Sequence, residues 1–317
     1  MKILKIGEFG LIKRISRKIK DKNVLTQIGD DTAVIKIGGK FVLFTADTLV
    51  EDDHFSLKWS SPFQIGKKAM EINVSDMAAM GGEPKYALIS LCLKRDERVE
   101  WVDGLYRGIY SVARKYGFEI VGGNVTHGKQ TVIDVSMLGE TRKPVLRSRA
   151  KVNDLICVTG DLGKSQAGLE LLLKFGKKAK RFVISKSHLE PKSRLKESRI
   201  ISKFAHSMID VSDGLASEVS HICGLSRKGA LINREKIPIS KQTKLAAELV
   251  KKDPVDFALH GGEDFELVFT VSRKNLDKLR RKLKFSVVGK ILPKSDGIYL
   301  LDKGRKRKLG KGYDHFS

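Results

Sequence analysis

The stretch IGDDTAVIKIGGKFVLFTADTLVEDDH, residues 28–54, predicts a β-hairpin that carries carboxylates at its open end. Residues 33–37 and 41–46 are runs of β-branched and aromatic side chains, and two glycines between them supply a tight turn. Asp31 precedes the first run and Asp47 follows the second, so strand pairing should bring these carboxylates together. The stretch holds six acidic residues against two lysines, and such a group repels itself unless a cation or proton intervenes.

The rest of the chain alternates strands with helices. Ser61-Pro62 is typical of a helix start, with Ser as N-cap and Pro in the first turn, and Gly81-Gly82 ends that helix. Further strands are predicted at 86–93, 118–122, 131–139, 155–159, 265–271 and 285–289, and helices at 99–116, 164–175, 241–251 and 273–284. Because hairpins occur among these elements instead of strict βαβ units, we predict an α/β fold of mixed α+β character.

The length of 317 residues predicts two domains. The polar stretch at 140–154 separates an expected N-terminal α/β domain (1–140) from an expected C-terminal α/β domain (150–317).

The net charge of +24 comes from 61 basic and 37 acidic residues, and the basic residues are spread along the chain. Without a nucleic-acid motif or interleaved aromatics, this distribution favours a solvated surface that steers anions, and no nucleic-acid partner. No apolar run reaches the roughly 18 residues of a membrane span, and the first residues do not resemble a signal peptide. Three widely spaced cysteines are typical of a reducing compartment. We therefore expect a cytoplasmic protein without a membrane partner.

Further carboxylates stand at predicted element ends. In MIDVSDGLAS (208–217), Asp210 ends a buried strand and Asp213 opens a helix, and Asp76 lies late in the first long helix. Each Asp alone fits a turn or an N-cap, because its side chain accepts backbone N–H bonds. Taken together with the hairpin carboxylates, they favour a site for Mg²⁺, which binds carboxylates together with substrate phosphates.

Glycine-rich segments give weaker evidence for a nucleotide site. VTGDLGKSQAG (158–168) contains Gly-Lys-Ser after a strand, but a P-loop needs glycine where Val158 stands. GGNVTHG (122–128) and HGGEDFELVF (260–269) would let backbone N–H groups approach phosphate, or would only form tight turns.

Several motifs in one order resemble the thiamine-monophosphate kinase family of the aminoimidazole-ribonucleotide-synthetase-like superfamily. They are GEFGLI, IGDDTA, TADTLVEDDHF, NVSDMAAMGGEP, IDVSDGL, GGEDFEL and KGYDHF. The resemblance implies a two-domain fold. Its N-terminal domain carries the metal and nucleotide site and pairs its sheet with that of a second subunit in a homodimer, and its C-terminal domain covers the active-site cleft. It also implies direct, magnesium-assisted transfer of the γ-phosphoryl group of ATP to thiamine monophosphate.

The resemblance also implies roles for individual residues. The expected magnesium ligands are Asp31, Thr45, Asp47, Asp76, Asn124, Asp210 and Asp213. The expected ATP contacts are Arg147, Ser212, Gly122 and Gly123, and the expected contacts to the thiamine end are His54, Glu263 and Tyr313. Some positions depart from the family: Asn124 stands where an Asp is usual, His127 stands where an Arg is common, and Ala46 stands where a Thr often contributes an oxygen.

The expected reaction needs no general base. The acceptor is a phosphate monoester whose second pKa is about 6, so it is largely dianionic at neutral pH. The obstacle is the meeting of two polyanions, which carboxylate-held magnesium ions can overcome. The alternatives are another ATP-dependent enzyme of the same superfamily, and a nucleotide- or RNA-binding module that only the basic charge favours.

Overall fold

The structure, a computed structural model, describes residues 2–26 and 28–310. Its helices are α1 (Gly7–Ile15), α2 (Pro62–Ala79), α3 (Val99–Tyr116), α4 (Lys164–Phe175), α5 (Ser185–Leu189), α6 (Leu195–Ile201), α7 (Leu215–Ser226), α8 (Lys241–Val250), α9 (Pro254–His260) and α10 (Arg273–Arg280). Its strands are β1 (Ala33–Ile37), β2 (Lys40–Val50), β3 (Glu83–Leu93), β4 (Glu119–His127), β5 (Val132–Thr141), β6 (Leu155–Val158), β7 (Ser207–Asp210), β8 (Gly229–Asn233), β9 (Leu267–Val271), β10 (Ser286–Leu292), β11 (Ile298–Asp302) and β12 (Arg305–Lys308).

The strands form two mixed sheets, which confirms the mixed α/β class. A five-stranded sheet has the order β1-β2-β5-β3-β4, and a seven-stranded sheet has the order β12-β11-β8-β10-β6-β9-β7. The predicted hairpin is confirmed as the antiparallel pair β1–β2. Each sheet draws its strands from one half of the chain. The domain limits 1–140 and 150–317 remain a prediction.

Helices α2 and α3 cover one face of the five-stranded sheet. Ser61 and Gln64 form a capping box at the start of α2, where Pro62 occupies the first turn. The two helices cross so closely that the crossing requires glycine. A Cβ at Gly66 would lie 2.1 Å from the Leu105 carbonyl oxygen, and other side chains would fit no better there. This close packing fixes the position of α2, the helix that carries Asp76.

One of the hydrophobic core clusters joins the two halves. It contains Met70, Val74 and Met77 of α2, and it continues into Phe269 of β9 and Met208 of β7. Because α2 packs between the sheets, its polar residues near its C-terminal end face the ends of strands from the second sheet. The fold therefore places the carboxyl end of β7 beside α2 and the hairpin.

The sequence missed several short elements. It did not predict α1, α5, α6, α9, β8, β11 or β12. No helix among residues 2–26 and 28–310 has the length and apolar character needed to cross a membrane.

Candidate active site

A cavity of about 410 Å³ lies where the two halves meet. Its walls come from the hairpin, from α2 and from the loops that follow β7 and precede β9. The expected site residues that line it are Asp31, Thr45, Asp47, His54, Asp76, Arg147, Asp210, Ser212, Asp213 and Glu263. The structure thus brings together ten residues that are widely separated in sequence.

Three carboxylates form the centre of this cavity. Asp31 from the hairpin entry, Asp76 from α2 and Asp210 from the end of β7 place oxygen atoms within 4.8 Å of one another. Thr45 of β2 donates a hydrogen bond of 2.5 Å to Asp76 Oδ2, and Ser75 donates to Asp210. The hydroxyl groups of Thr45 and Ser75 therefore hold the carboxylates of Asp76 and Asp210 in place.

The carboxylates of this group are buried close to one another, and both burial and mutual repulsion affect their pKa values. Burial raises the pKa of Asp76 well above its usual value, and the charges of Asp47, Asp210 and Asp31 raise it further. Burial and the charge of Asp31 raise the pKa of Asp210 in the same direction. The pKa of Asp47 is also raised by burial, against a lowering hydrogen bond with Asp76. Burial and the neighbouring carboxylates therefore both favour the protonated, neutral forms of these side chains.

Arg147 contacts this group directly. Its guanidinium donates to both oxygens of Asp31, at 3.1 and 2.6 Å, and to the Gly29 carbonyl at 3.0 Å. Burial alone would lower the pKa of Arg147, but the charge and hydrogen bonds of Asp31 raise it. Arg147 thus stays charged and holds Asp31 in one orientation, in the bidentate geometry that arginine favours.

Asp213 does not cap its helix, contrary to one interpretation of the sequence. Helix α7 has Gly214 as its N-cap residue, without a side-chain capping bond. Instead, Glu218 of α7 accepts the Asp213 N–H at 2.9 Å, so the loop is anchored and the Asp213 side chain lines the cavity. Burial, and then the charge of Asp213, raise the pKa of Glu218 well above its usual value. Sequence analysis missed Glu218.

His54 and Glu263 also line the cavity. Two partners of Glu263 were missed: Lys68, which occupies a buried position of α2, and His188, which lies in the short helix α5. A lysine among apolar residues on a long helix was the sequence signal that could have found the first. Tyr313 lies outside the described residues.

Gly122, Gly123 and Asn124 lie apart from the cavity-lining residues. The segment was expected to be a glycine-rich turn, but it forms the edge strand β4. Gly123 allows this pairing, because a Cβ there would lie 1.8 Å from the Ile89 carbonyl oxygen. Two strands separate β4 from β2, or roughly 14 Å at the usual strand spacing. The expected contacts of these residues with ATP and metal stay predictions.

The side chain and backbone groups of the Gly-Lys-Ser segment (163–165) form contacts within the protein. Lys164 begins α4, and its ammonium pairs with the buried carboxylate of Glu266, which Arg194 also contacts at 2.5 Å. Ser165 lines the cavity, while its backbone N–H donates to Asp264 at 2.9 Å. The segment therefore lacks the free lysine that a P-loop presents to phosphates.

Comparisons with known proteins agree with this architecture. The family model "AIR synthase related protein, N-terminal domain" matches residues 29–141, and the corresponding C-terminal domain model matches residues 151–301. The thiamine-monophosphate kinase of Aquifex aeolicus (strain VF5) is 37% identical over 318 residues, covering 100% of both chains. That of Buchnera aphidicola subsp. Acyrthosiphon pisum is 39% identical over 327 residues, covering 99% of this chain and 100% of the relative.

A solved structure, AaThiL complexed with AMPPCP and TMP, superimposes with a TM-score of 0.90 at 36% identity. The superposition covers 99% of each chain. The chain therefore belongs to the thiamine-monophosphate kinase family of AIR synthase related proteins.

Proposed function

We propose that this protein transfers the γ-phosphoryl group of ATP to thiamine monophosphate, which yields thiamine diphosphate and ADP. The observation that carries the proposal is the buried group of Asp31, Asp76 and Asp210 in a cavity between the two halves. Full-length relatives named thiamine-monophosphate kinase support it, as does the similar structure that holds AMPPCP and TMP.

The carboxylate group has the chemistry of a magnesium site. Its donors are oxygen atoms, and burial together with the charges of neighbouring carboxylates raises the pKa values of Asp76 and Asp210. A divalent cation at this group would offset that repulsion. Hard divalent cations prefer such oxygen donors. We propose that Asp31, Thr45, Asp47, Asp76, Asp210 and Asp213 hold magnesium, with Asn124 as a further oxygen donor. Bound magnesium would neutralise charge on the phosphate oxygens of donor and acceptor.

The side chains of the protein then have positioning roles. Arg147 holds Asp31 from one side, while Ser75 and Thr45 hold Asp210 and Asp76 from the other. This arrangement keeps the carboxylates in place before substrates arrive, and such preorganisation contributes to electrostatic catalysis. A phosphate acceptor is already ionised at neutral pH, so the site needs no group to remove a proton.

The substrates are expected at different parts of the cavity. We propose that Arg147 and Ser212 contact ATP, together with Gly122 and Gly123 of β4. We propose that His54 and Glu263 contact the thiamine end of the acceptor, and that Tyr313 adds to this contact. Glu263 can serve there because its pKa is held well below the usual range, although burial acts in the opposite direction.

We further propose a homodimer formed through the five-stranded sheet. Helices cover one face of this sheet, and the other face exposes Phe44, Tyr86 and Leu88, each about half accessible. Registered strand pairs align Phe44 with Leu138 and Tyr86 in one row of that face. An apolar sheet face of this kind is typical of an interface between subunits.

One experiment tests the activity directly. Purified protein with ATP and Mg²⁺ is incubated with thiamine monophosphate, and thiamine diphosphate and ADP are quantified by chromatography. We expect equal amounts of both products, and none of either with thiamine in place of its monophosphate. Other phosphate monoesters serve as acceptor controls, and release of ADP with one of them in preference would favour another enzyme of the superfamily. Lack of thiamine diphosphate across a broad range of Mg²⁺ and temperature contradicts the proposal.

A further inference from the structure

Lys68 is a buried lysine in the middle of α2. Its side chain is 3% exposed, and its helix neighbours Ile65 and Ile72 belong to the hydrophobic core. Burial of an ammonium group is costly unless hydrogen bonds and an opposite charge compensate it. Nζ donates to the His54 carbonyl at 2.8 Å and lies 2.6 and 2.8 Å from the two oxygens of Glu263. This lysine thus joins α2 to two cavity-lining residues, His54 and Glu263.

Glu263 is held from its backbone as well as from its side chain. Its φ of +63° lies in the left-handed region, which costs a non-glycine residue free energy. The backbone N–H donates to the Ser212 carbonyl at 2.8 Å, and a Cβ at the preceding Gly262 would lie 2.2 Å from the same oxygen. A strained backbone with close packing therefore presents this carboxylate to the cavity.

A second donor reaches the same carboxylate from another element. His188 Nδ1 lies 3.2 Å from Glu263 Oε2 and 3.3 Å from Ser165 Oγ. Burial lowers the pKa of His188, and the charge of Lys68 lowers it further, so the imidazole is neutral near pH 7. A neutral imidazole donates to Glu263 only when its proton is on Nδ1.

The acidic residues next to Glu263 in the sequence, Asp264 and Glu266, contact other groups than Glu263 does. Asp264 accepts backbone N–H groups of Gly163 and Ser165, and Glu266 pairs with Lys164 and Arg194. Lys68 from α2 and His188 from α5 face Glu263.

We propose that Lys68 and His188 are positioning residues that keep Glu263 ionised and in one orientation for recognition of the cationic ring of the acceptor. The inference rests on the proposed function, because thiamine monophosphate carries a permanently charged thiazolium. A carboxylate that is fixed in a dry wall attracts a cation more strongly than one exposed to water. Because Lys68 acts through Glu263, its replacement should weaken binding of the acceptor and leave binding of ATP unchanged.

The adjacent residue of the same helix offers a matched control. Lys67 also links α2 to the C-terminal half, through a 2.8 Å pair with Glu190, but neither residue lines the cavity. If Lys68 were only a tie between the halves, Lys67→Met and Lys68→Met would change the same properties.

The test compares binding and kinetics in Lys68→Met, Glu263→Gln and the double variant. Calorimetric titration with thiamine monophosphate, without ATP, gives Kd, and steady-state assays give KM for each substrate. We expect Lys68→Met and Glu263→Gln each to weaken acceptor binding by roughly tenfold or more, and to change KM for ATP less than about twofold. The double variant should bind thiamine monophosphate no more weakly than Glu263→Gln does. It also tests the inference if Lys68→Met alone folds poorly. Lys67→Met should bind as the wild type.

His188 provides a rescue test. The amide nitrogen of Asn occupies nearly the place of Nδ1 and can donate to Glu263, whereas Leu cannot. We expect His188→Asn to bind thiamine monophosphate nearly as the wild type and His188→Leu to bind it severalfold more weakly.

A pH series separates positioning from a structural role. Without Lys68, burial raises the pKa of Glu263, so Kd of Lys68→Met should increase more steeply than that of the wild type between about pH 8 and 6. Additive effects of Lys68→Met and Glu263→Gln, or lost stability with unchanged Kd, overturn the inference. A wild type that binds thiamine monophosphate without turnover contradicts only the proposed function, whereas a wild type that does not bind it contradicts both.

Discussion

Ser75 of α2 donates a hydrogen bond to Asp210, the last residue of β7. The bond joins the two halves of the molecule, and the residue after Ser75 is Asp76, which belongs to the same carboxylate group. The spacing of the two carboxylates therefore depends on one hydroxyl that neither substrate is expected to contact.

Replacement of Ser75 by Ala should lower kcat more than it changes either KM. Loss of the donor frees Asp210 to move within the group, and it should cost about 1–2 kcal/mol of unfolding free energy, as typical for a buried hydrogen bond. Denaturant titration and initial rates measure the two effects. Ser111→Ala is the control, because this hydroxyl bonds a carbonyl within α3, far from the carboxylates. Wild-type kcat in Ser75→Ala would argue against the positioning role.

Removal of a carboxylate should stabilise the metal-free protein. The raised pKa values of Asp76 and Asp210 mean that the folded state binds protons which the unfolded chain releases. The contribution of these two groups to stability is then greatest at low pH and falls as pH rises from 3.8 toward the raised values, which is the sign expected for a raised carboxyl pKa. At pH 7.5 in a chelator, we expect Asp210→Asn to melt at or above the wild-type temperature.

The same variant should lose activity by about a hundredfold or more, on the scale of removing one preorganised electrostatic group. Mg²⁺ should raise the melting temperature of the wild type more than that of Asp210→Asn. Unfolding of the variant, or unchanged turnover, would instead favour the structural interpretation of this Asp.

Sequence patterns predicted the central elements because their signals are local. The hairpin turn, the Ser61 capping box and the apolar face of α3 lie within single elements, and their structure follows from them. The Gly122-Gly123 segment was misassigned as a turn because glycine also permits close strand approach, which depends on the partner strand β3.

The partners of site residues were harder to predict. The family resemblance named Glu263, but Lys68 and Glu218 became visible only when tertiary packing placed them beside the cavity residues. In a sequence, a buried charged residue of a helix cannot be distinguished from an exposed one unless the apolar residues around it are taken into account.

The dimer prediction concerns the exposed face of the five-stranded sheet. Phe44 is 46% exposed in the single chain, and a subunit interface would bury it. We expect light scattering at micromolar concentration to report about twice 35.4 kDa, and Phe44→Glu to shift the protein toward the monomer. Leu245→Glu, at an exposed position of α8 in the C-terminal half, serves as a control for added charge. A monomeric wild type with full activity would contradict the dimer.

The last prediction concerns Asn124, which lies in β4 outside the cavity of its own chain. Registered strand pairs place it in one row of the exposed sheet face with Ser90, Asp134 and Thr48, and Thr48 lines the cavity. This row lies on the face that the proposed dimer covers, so a second subunit would bring Asn124 near a site that its own chain does not reach.

We expect Asn124→Asp to lower the Mg²⁺ concentration needed for half-maximal activity without abolishing turnover, because a carboxylate attracts a divalent cation more strongly than an amide does. The Mg²⁺ titration should be repeated in Phe44→Glu, where a monomer should show no gain from the added carboxylate. Unchanged or raised Mg²⁺ demand in the dimeric variant would mean that Asn124 does not act as a metal ligand. If Asn124→Asp lowered the Mg²⁺ demand equally in the monomer, the added carboxylate would act within its own chain. That result would contradict the role of the second subunit.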